Sequence, residues 1–147
     1  MAVAKYKEAT ARFEELGSVV GRLRAQGNLA QVEVESGRIE VGARRALDVL
    51  RAAWDAELAI EWSLALLVLA QVELVDGDAE LGLEILGALV HDRRVERWDD
   101  QIERTLSMAG FDPSLAWPRV REAGQTSADD LVVRLLTRRV PTPAVSY

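Results

Sequence analysis

Cysteine is absent from this 147-residue sequence, histidine occurs once, and aromatic residues make up only 5%. Without cysteine there is no disulfide and no thiolate metal ligand, and a reducing compartment, the cytoplasm, is the expected home. The lone histidine, His91, has no second imidazole with which to build a metal site or a further catalytic pair. It stands next to Asp92 at an expected helix end, where an imidazole serves as a cap or surface group. No glycine-rich loop followed by Lys and Ser or Thr is present to cradle a phosphate. Positive charge is in deficit: 18 Lys and Arg stand against 24 Asp and Glu, for a net charge of −6. Bulk affinity for nucleic acid needs the opposite balance, because it is driven by release of counterions from phosphates. Long apolar runs are missing as well. The longest, Trp62–Ala70, is nine residues, against about 20 for a membrane-spanning helix. The first fifteen residues carry Lys5, Lys7 and Glu8 and no apolar run, so they do not read as a secretory signal. The acidic pairs Glu33/Glu35 and Asp99/Asp100 and the arginine pairs at 44–45 and 138–139 read as solvated faces or helix-end charges. The expectation is a protein without catalytic chemistry, cofactor or metal, and with no direct contact to nucleic acid or membrane.

What the sequence does contain is a repeat of itself. LAQVE occurs at 29–33 and again at 69–73, and the correspondence continues at the same offset: Gly37 with Gly77, Glu40 with Glu80, Gly42 with Gly82. Apolar positions Val41, Ala46, Val49 and Leu50 answer Leu81, Leu86, Leu89 and Val90. A fixed period in this range is the mark of stacked supersecondary units, none of which buries its own apolar face alone. The composition, 49% hydrophobic and 29% charged, suits a single folded domain.

The apolar periodicity predicts helices throughout. Residues 3–16 carry the stripe Tyr6, Ala9, Phe13 and Leu16, stopped by Gly17. A second helix runs from Ser18 to Glu35, with Gly27-Asn28 as a candidate kink or break. The third covers 39–53, with Ile39, Ala43, Ala46, Leu47 and Leu50 inward. The fourth, 56–75, is apolar nearly all round and needs cover on more than one side, placing Leu66 and Leu69 in the core beside Leu86 and Leu89 of the fifth. Asp78 is the expected N-cap of that fifth helix, 79–91. A sixth is expected over 95–108, closed by Gly110. Asp112-Pro113 starts a seventh, short, kinked or restarted at Pro118. Ser127 with Asp130 opens the last, 128–138, and the prolines at 141 and 143 begin a loose tail, 141–147. Trp54, Trp62, Trp98 and Trp117 read as core wedges, Trp98 and Trp117 being the two with a case as exposed anchors.

The spacing Ala30, Gly37, Gly42, Ala46, Val49 and its counterpart Ala70, Gly77, Gly82, Leu86, Leu89 resembles the tetratricopeptide helix-turn-helix unit. Small residues there let paired helices approach, and a glycine makes the turn. The sequence departs from that pattern in its period of forty, in glycine where alanine is usual, and in aliphatic side chains where aromatics are usual. The first helix looks like the second half of such a unit, so the chain reads as an excerpt of a longer protein. Residues 103–136, with Arg121-Glu122-Ala123-Gly124 and Ser127-Ala128-Asp129-Asp130-Leu131-Val132, look like the closing segment of helical arrays in LuxR-like and MalT-like bacterial regulators and signalling ATPases. The tryptophan of that segment would fall near Val120, whereas Trp117 stands three places earlier.

The resemblance implies an all-α fold: a short right-handed α-solenoid of antiparallel hairpins spanning residues 1–140, with 3–17 as a half unit, 18–53 and 56–91 as full units, and 95–138 as capping helices. It implies a protein-interaction scaffold, a piece of a transcriptional regulator or signalling protein. A freestanding homodimerising adaptor and a small-ligand-sensing domain are the alternatives. In such arrays the first helix of each unit lines the concave face, which assigns a groove to Arg24, Gln31, Val34 and Glu35 from one unit and Leu64, Leu67, Gln71 and Leu74 from the next. Either the C-terminal helices cover that groove, or a peptide, another domain of the parent protein or a second copy does.

Overall fold

The structure, a computed structural model, describes residues 2–15, 18–95 and 98–138. The stop at Gly17, Leu16, the Phe13 side chain and the tail 141–147 lie outside the described residues. Within them the chain is all-helical: α1 (Ala2–Glu15), α2 (Val19–Glu35), α3 (Ile39–Asp55), α4 (Ala59–Asp76), α5 (Ala79–His91), α6 (Asp99–Met108), α7 (Pro113–Ala123) and α8 (Ala128–Thr137).

Local chemistry sets these boundaries. Ser18, Asp78, Asp112 and Ser127 are N-caps whose side-chain oxygens accept from the N–H groups of Gly21, Leu81, Ser114 and Asp130. Pro113 occupies the first helical position of α7, where no N–H is needed. Three helices end in the same way: the residue after the C-cap takes positive φ, and the next N–H reaches back to a carbonyl in the last turn. Gly37 (φ 92°) and Gly110 (φ 86°) serve α2 and α6, but α3 ends on Glu57 (φ 57°), with Leu58 N bonded to Ala53 O at 2.9 Å.

Three departures from the periodicity have physical causes. The second helix runs unbroken through Gly27, because Leu23, Ala25, Leu29 and Ala30 around it are all buried and hold that stretch down. Pro118 is absorbed inside α7 without ending it; the helical partner it denies is the carbonyl of Ser114, an exposed residue. The sixth helix starts at Asp99, leaving Val95 in a turn. Asp92 takes the Arg94 N–H at 2.8 Å and its guanidinium at 2.7 and 3.0 Å, a local bonding pattern that competes with a helical start.

The hairpins α2–α3 and α4–α5 make matching internal contacts forty residues apart. A Cβ on Gly42 would stand 2.6 Å from Val34 Cγ2 and 2.8 Å from the Ala30 carbonyl; one on Gly82 would stand 2.7 Å from Leu74 Cγ and 3.1 Å from the Ala70 carbonyl. Helix α4 packs against α2, α3, α5 and α6; α7 closes over α5, and α8 over α3 and α5. This surrounding answers the all-round apolar character of α4. Leu66, Leu69, Leu86 and Leu89 are buried in one continuous core that runs from Leu23 to Leu135.

Glu33, expected at a solvated face, is not there. Glu33 is fully buried and accepts from Arg45 Nε at 2.6 Å, and Arg138 reaches Glu73, the matching glutamate of the second hairpin, at 3.0 Å. Glu73 also accepts from the Asp78 N–H at 3.0 Å, so it ties the α4–α5 turn as well. Each glutamate lies on the side of its helix that faces the hairpin, where a carboxylate persists only with a bonded cation or amide.

Candidate functional site

Arg24, Asn28, Gln31 and Glu35 are three or four residues apart, so they form one stripe along α2. The matching stripe of α4 includes Leu64, Leu67 and Gln71. Four of the eight expected groove residues, Gln31, Leu64, Leu67 and Gln71, do come together. They form the floor of a small cavity of about 40 Å³ whose roof is Gln101, Arg104 and Thr105 of α6. Helix α6 thus lies in the trough between α2 and α4, burying Ile102, Thr105 and Leu106. Glu35 joins the arrangement from the rim: Arg104 of α6 reaches it at 3.2 Å, and Gln31 donates to it at 3.1 Å.

The other three lie elsewhere. Val34 and Leu74 are buried and face Gly42 and Gly82 inside their own hairpins, since each stands four residues after the alanine whose carbonyl meets the same glycine. Arg24 is exposed and pairs with the buried carboxylate of Glu61 at 3.0 Å, joining the N-terminal halves of α2 and α4. The part of the α2 stripe beyond the reach of α6 borders an open groove against α1. Tyr6 and Ala9 form one wall and Gly21, Arg24, Ala25 and Asn28 the other, around about 340 Å³.

The remaining residues singled out by sequence take structural places. His91 is exposed, with Nε2 3.3 Å from the Arg121 carbonyl and its ring against Gly124, a contact that joins α5 to the end of α7. Trp117 is half-buried; its indole N–H donates to Glu103 at 3.0 Å, and the Arg121 guanidinium lies 5.4 Å from its ring centre. Trp98 is also half-buried, at the start of α6, with its indole N–H enclosed and without an acceptor among the described residues. Among the described residues no three His, Asp or Glu side chains are grouped to hold a metal ion, and no helix is long and apolar enough to cross a membrane.

Sequence reasoning offered the C-terminal helices as one cover for the groove without saying which of them. The apolar positions of α6 announce a buried face without saying where it docks. It also missed the meeting of Trp54, Trp62 and Arg94, which come from a helix, the next helix and a distant loop; only the short spacing Asp92-x-Arg94 hinted at a fixed arginine. The chain matches no protein-family model, no curated protein and no solved structure.

Proposed function

We propose that the chain is a protein-interaction module built on a tetratricopeptide-like helical array, and that it works by offering its inner face to an amphipathic helix. The observation that carries this reading is α6 itself. The trough between α2 and α4 receives an amphipathic helix of ten residues, seated through Ile102, Thr105 and Leu106 and oriented by an Arg104–Glu35 ion pair at the rim. That is the helix-in-groove mode of recognition, in which apolar anchors on one helical face enter an apolar groove and rim charges set the direction. The same α2 stripe continues into the open groove beside α1, whose lining of Tyr6, Ala9, Gly21 and Ala25 is largely apolar, with Asn28 and Arg24 at hand for polar contacts. The sequence resemblance to LuxR-like and MalT-like arrays would make this the module through which a bacterial regulator holds a partner domain.

The test is selection of amphipathic helical peptides against the purified protein, followed by titration of the best binders. Binding is expected to weaken by at least about tenfold in Ala9→Arg and Asn28→Arg, which fill and charge the open groove, with helical content unchanged by circular dichroism. Binders that ignore both substitutions, or no selectable helix at all, would refute the reading.

A further inference from the structure

Near the start of α4, two indoles meet in a setting that the interaction reading does not use. Trp54, in the last turn of α3, and Trp62, in the first turns of α4, stand edge to face, with ring centres 5.1 Å apart and planes at 68°. The Arg94 guanidinium lies 5.3 Å from the first ring centre and 5.1 Å from the second. It is held there by Asp92 and by Asp129 of α8, and the same bond holds the Asp92 carboxyl below its ordinary range. The protein has therefore placed a cation of its own against both rings. Beside it an open cavity of about 360 Å³ remains, walled by Trp54, Glu57, Ala59, Trp62, Arg94 and Asp129.

The charge around this cavity decides what it would admit. Among the described residues, Arg94 is the one positive group that lines or holds it; Asp92, Asp129 and Glu57 are negative. Nε and Nη2 of the guanidinium are already engaged by two carboxylates, so an anion would meet an arginine whose charge is offset and three acidic groups. A cation meets the reverse, an indole surface and a carboxylate. That carboxylate comes from Glu57, the residue at φ 57° where α2 and α6 use glycine. A side chain at this conformation costs stability that glycine would not, so the cavity keeps its carboxylate at the expense of the turn.

We infer that the cavity between Trp54, Glu57 and Arg94 is a binding site for a small organic cation with delocalised or alkylated charge, a guanidinium or a methylated ammonium. Such cations are weakly hydrated, stack on indole faces and pair with a carboxylate at the rim. A pocket of this size falls in the range of about 300–1,000 Å³ found for small-molecule sites.

The experiment is a titration of the full chain with arginine amide, choline and inorganic phosphate at fixed ionic strength, read by tryptophan fluorescence and calorimetry. Saturable binding of either cation and none of phosphate is expected. Glu57→Gln and Glu57→Gly should each weaken the cation by about tenfold or more. Glu57→Gly should at the same time raise the melting temperature, because glycine relieves the positive φ, so lost binding cannot be put down to lost fold. A capped tripeptide with one arginine separates the sources of the charge: tighter binding than arginine amide assigns a protein side chain, weaker binding a free small molecule. No saturation with either cation by about 10 mM, a preference for phosphate, or unchanged affinity in both Glu57 variants overturns the assignment.

Discussion

Gly27, Gly42 and Gly82 all lie inside helices, where glycine is a poor helix former, yet only two of them are needed for room. A Cβ at Gly42 or Gly82 runs into the facing helix, whereas at Gly27 it meets nothing within 4 Å. Gly27→Ala should therefore stabilise the protein by about 0.5–1 kcal/mol, the ordinary gain in helix propensity. Gly42→Ala earns the same gain but must push the Ala30 backbone and the stiff Val34 side chain apart, for a net loss of about 1–3 kcal/mol. At Gly82 the obstacle is mainly the more flexible Leu74 side chain, so its loss should be the smaller of the two. Urea denaturation of the three variants gives the order directly. A Gly42→Ala protein as stable as the parent would mean that the hairpin helices are farther apart than described. The buried glutamates make the complementary point: Glu33 and Glu73 sit inside and meet Arg45 and Arg138, and the sequence does not reveal this because alternation of polar and apolar letters cannot distinguish a carboxylate facing water from one facing an arginine.

At the scale of the element, α6 is the helix that covers Gln31 of α2 and Leu64, Leu67 and Gln71 of α4. It packs on α4 and α7, touches α2 through Arg104 and Glu35, and leaves a cavity of about 40 Å³ beneath it. A short helix with three buried residues and a void under it should be held less firmly than α4, which buries twelve. Hydrogen exchange is expected to show α6 opening at a lower free energy than α4 and α5. Ile102→Ala or Leu106→Ala should widen that gap while costing about 2–4 kcal/mol overall; equal protection of α6 and α4 would count against a loosely seated helix. The existence of this element was readable from Ile102 and Leu106 and its end from Gly110, while its start was read four residues early because the local bonding of Asp92 to Arg94 carries no periodicity. The caps Asp78, Asp112 and Ser127 were equally legible, since a side chain bonding its own backbone is local chemistry. What was not legible was pairing between distant elements: that α6 would lie on Leu64 and Leu67, or that Arg94 would find two tryptophans, depends on how the chain returns on itself.

Across the whole molecule four ion pairs share one pattern. Arg104, Arg119, Arg134 and Arg138, from the last three helices and the residue just after them, reach back to Glu35, Glu80, Glu84 and Glu73 of the first two hairpins. Each of these arginines is about half exposed, and such pairs are worth at most about 1 kcal/mol apiece. They fix where the C-terminal helices sit, whereas apolar burial supplies the adhesion. Helix α5 shows why that layer is needed: Leu81, Leu83, Ile85, Leu86, Ala88 and Leu89 are all buried, which places apolar groups all round it, and α4 can cover only one side. Val120, Leu131, Val132 and Leu135 close the rest, together with the approach of Gly87 to the backbone of Val120 and Gly124. The complete chain should accordingly unfold in one cooperative transition, with its midpoint barely moved between low and moderate salt. A chain cut after residue 95 should bind a hydrophobic dye, self-associate in light scattering and melt broadly, because the outer side of α5 becomes an exposed apolar strip. If the shortened chain melts as sharply as the whole, the two hairpins form a complete core by themselves and the C-terminal helices are an addition to it. If the whole chain also doubles its 16.2 kDa mass with rising concentration, Ala9→Arg separates the two surfaces: it abolishes a dimer formed through the groove between α1 and α2 and leaves association through α5 unchanged.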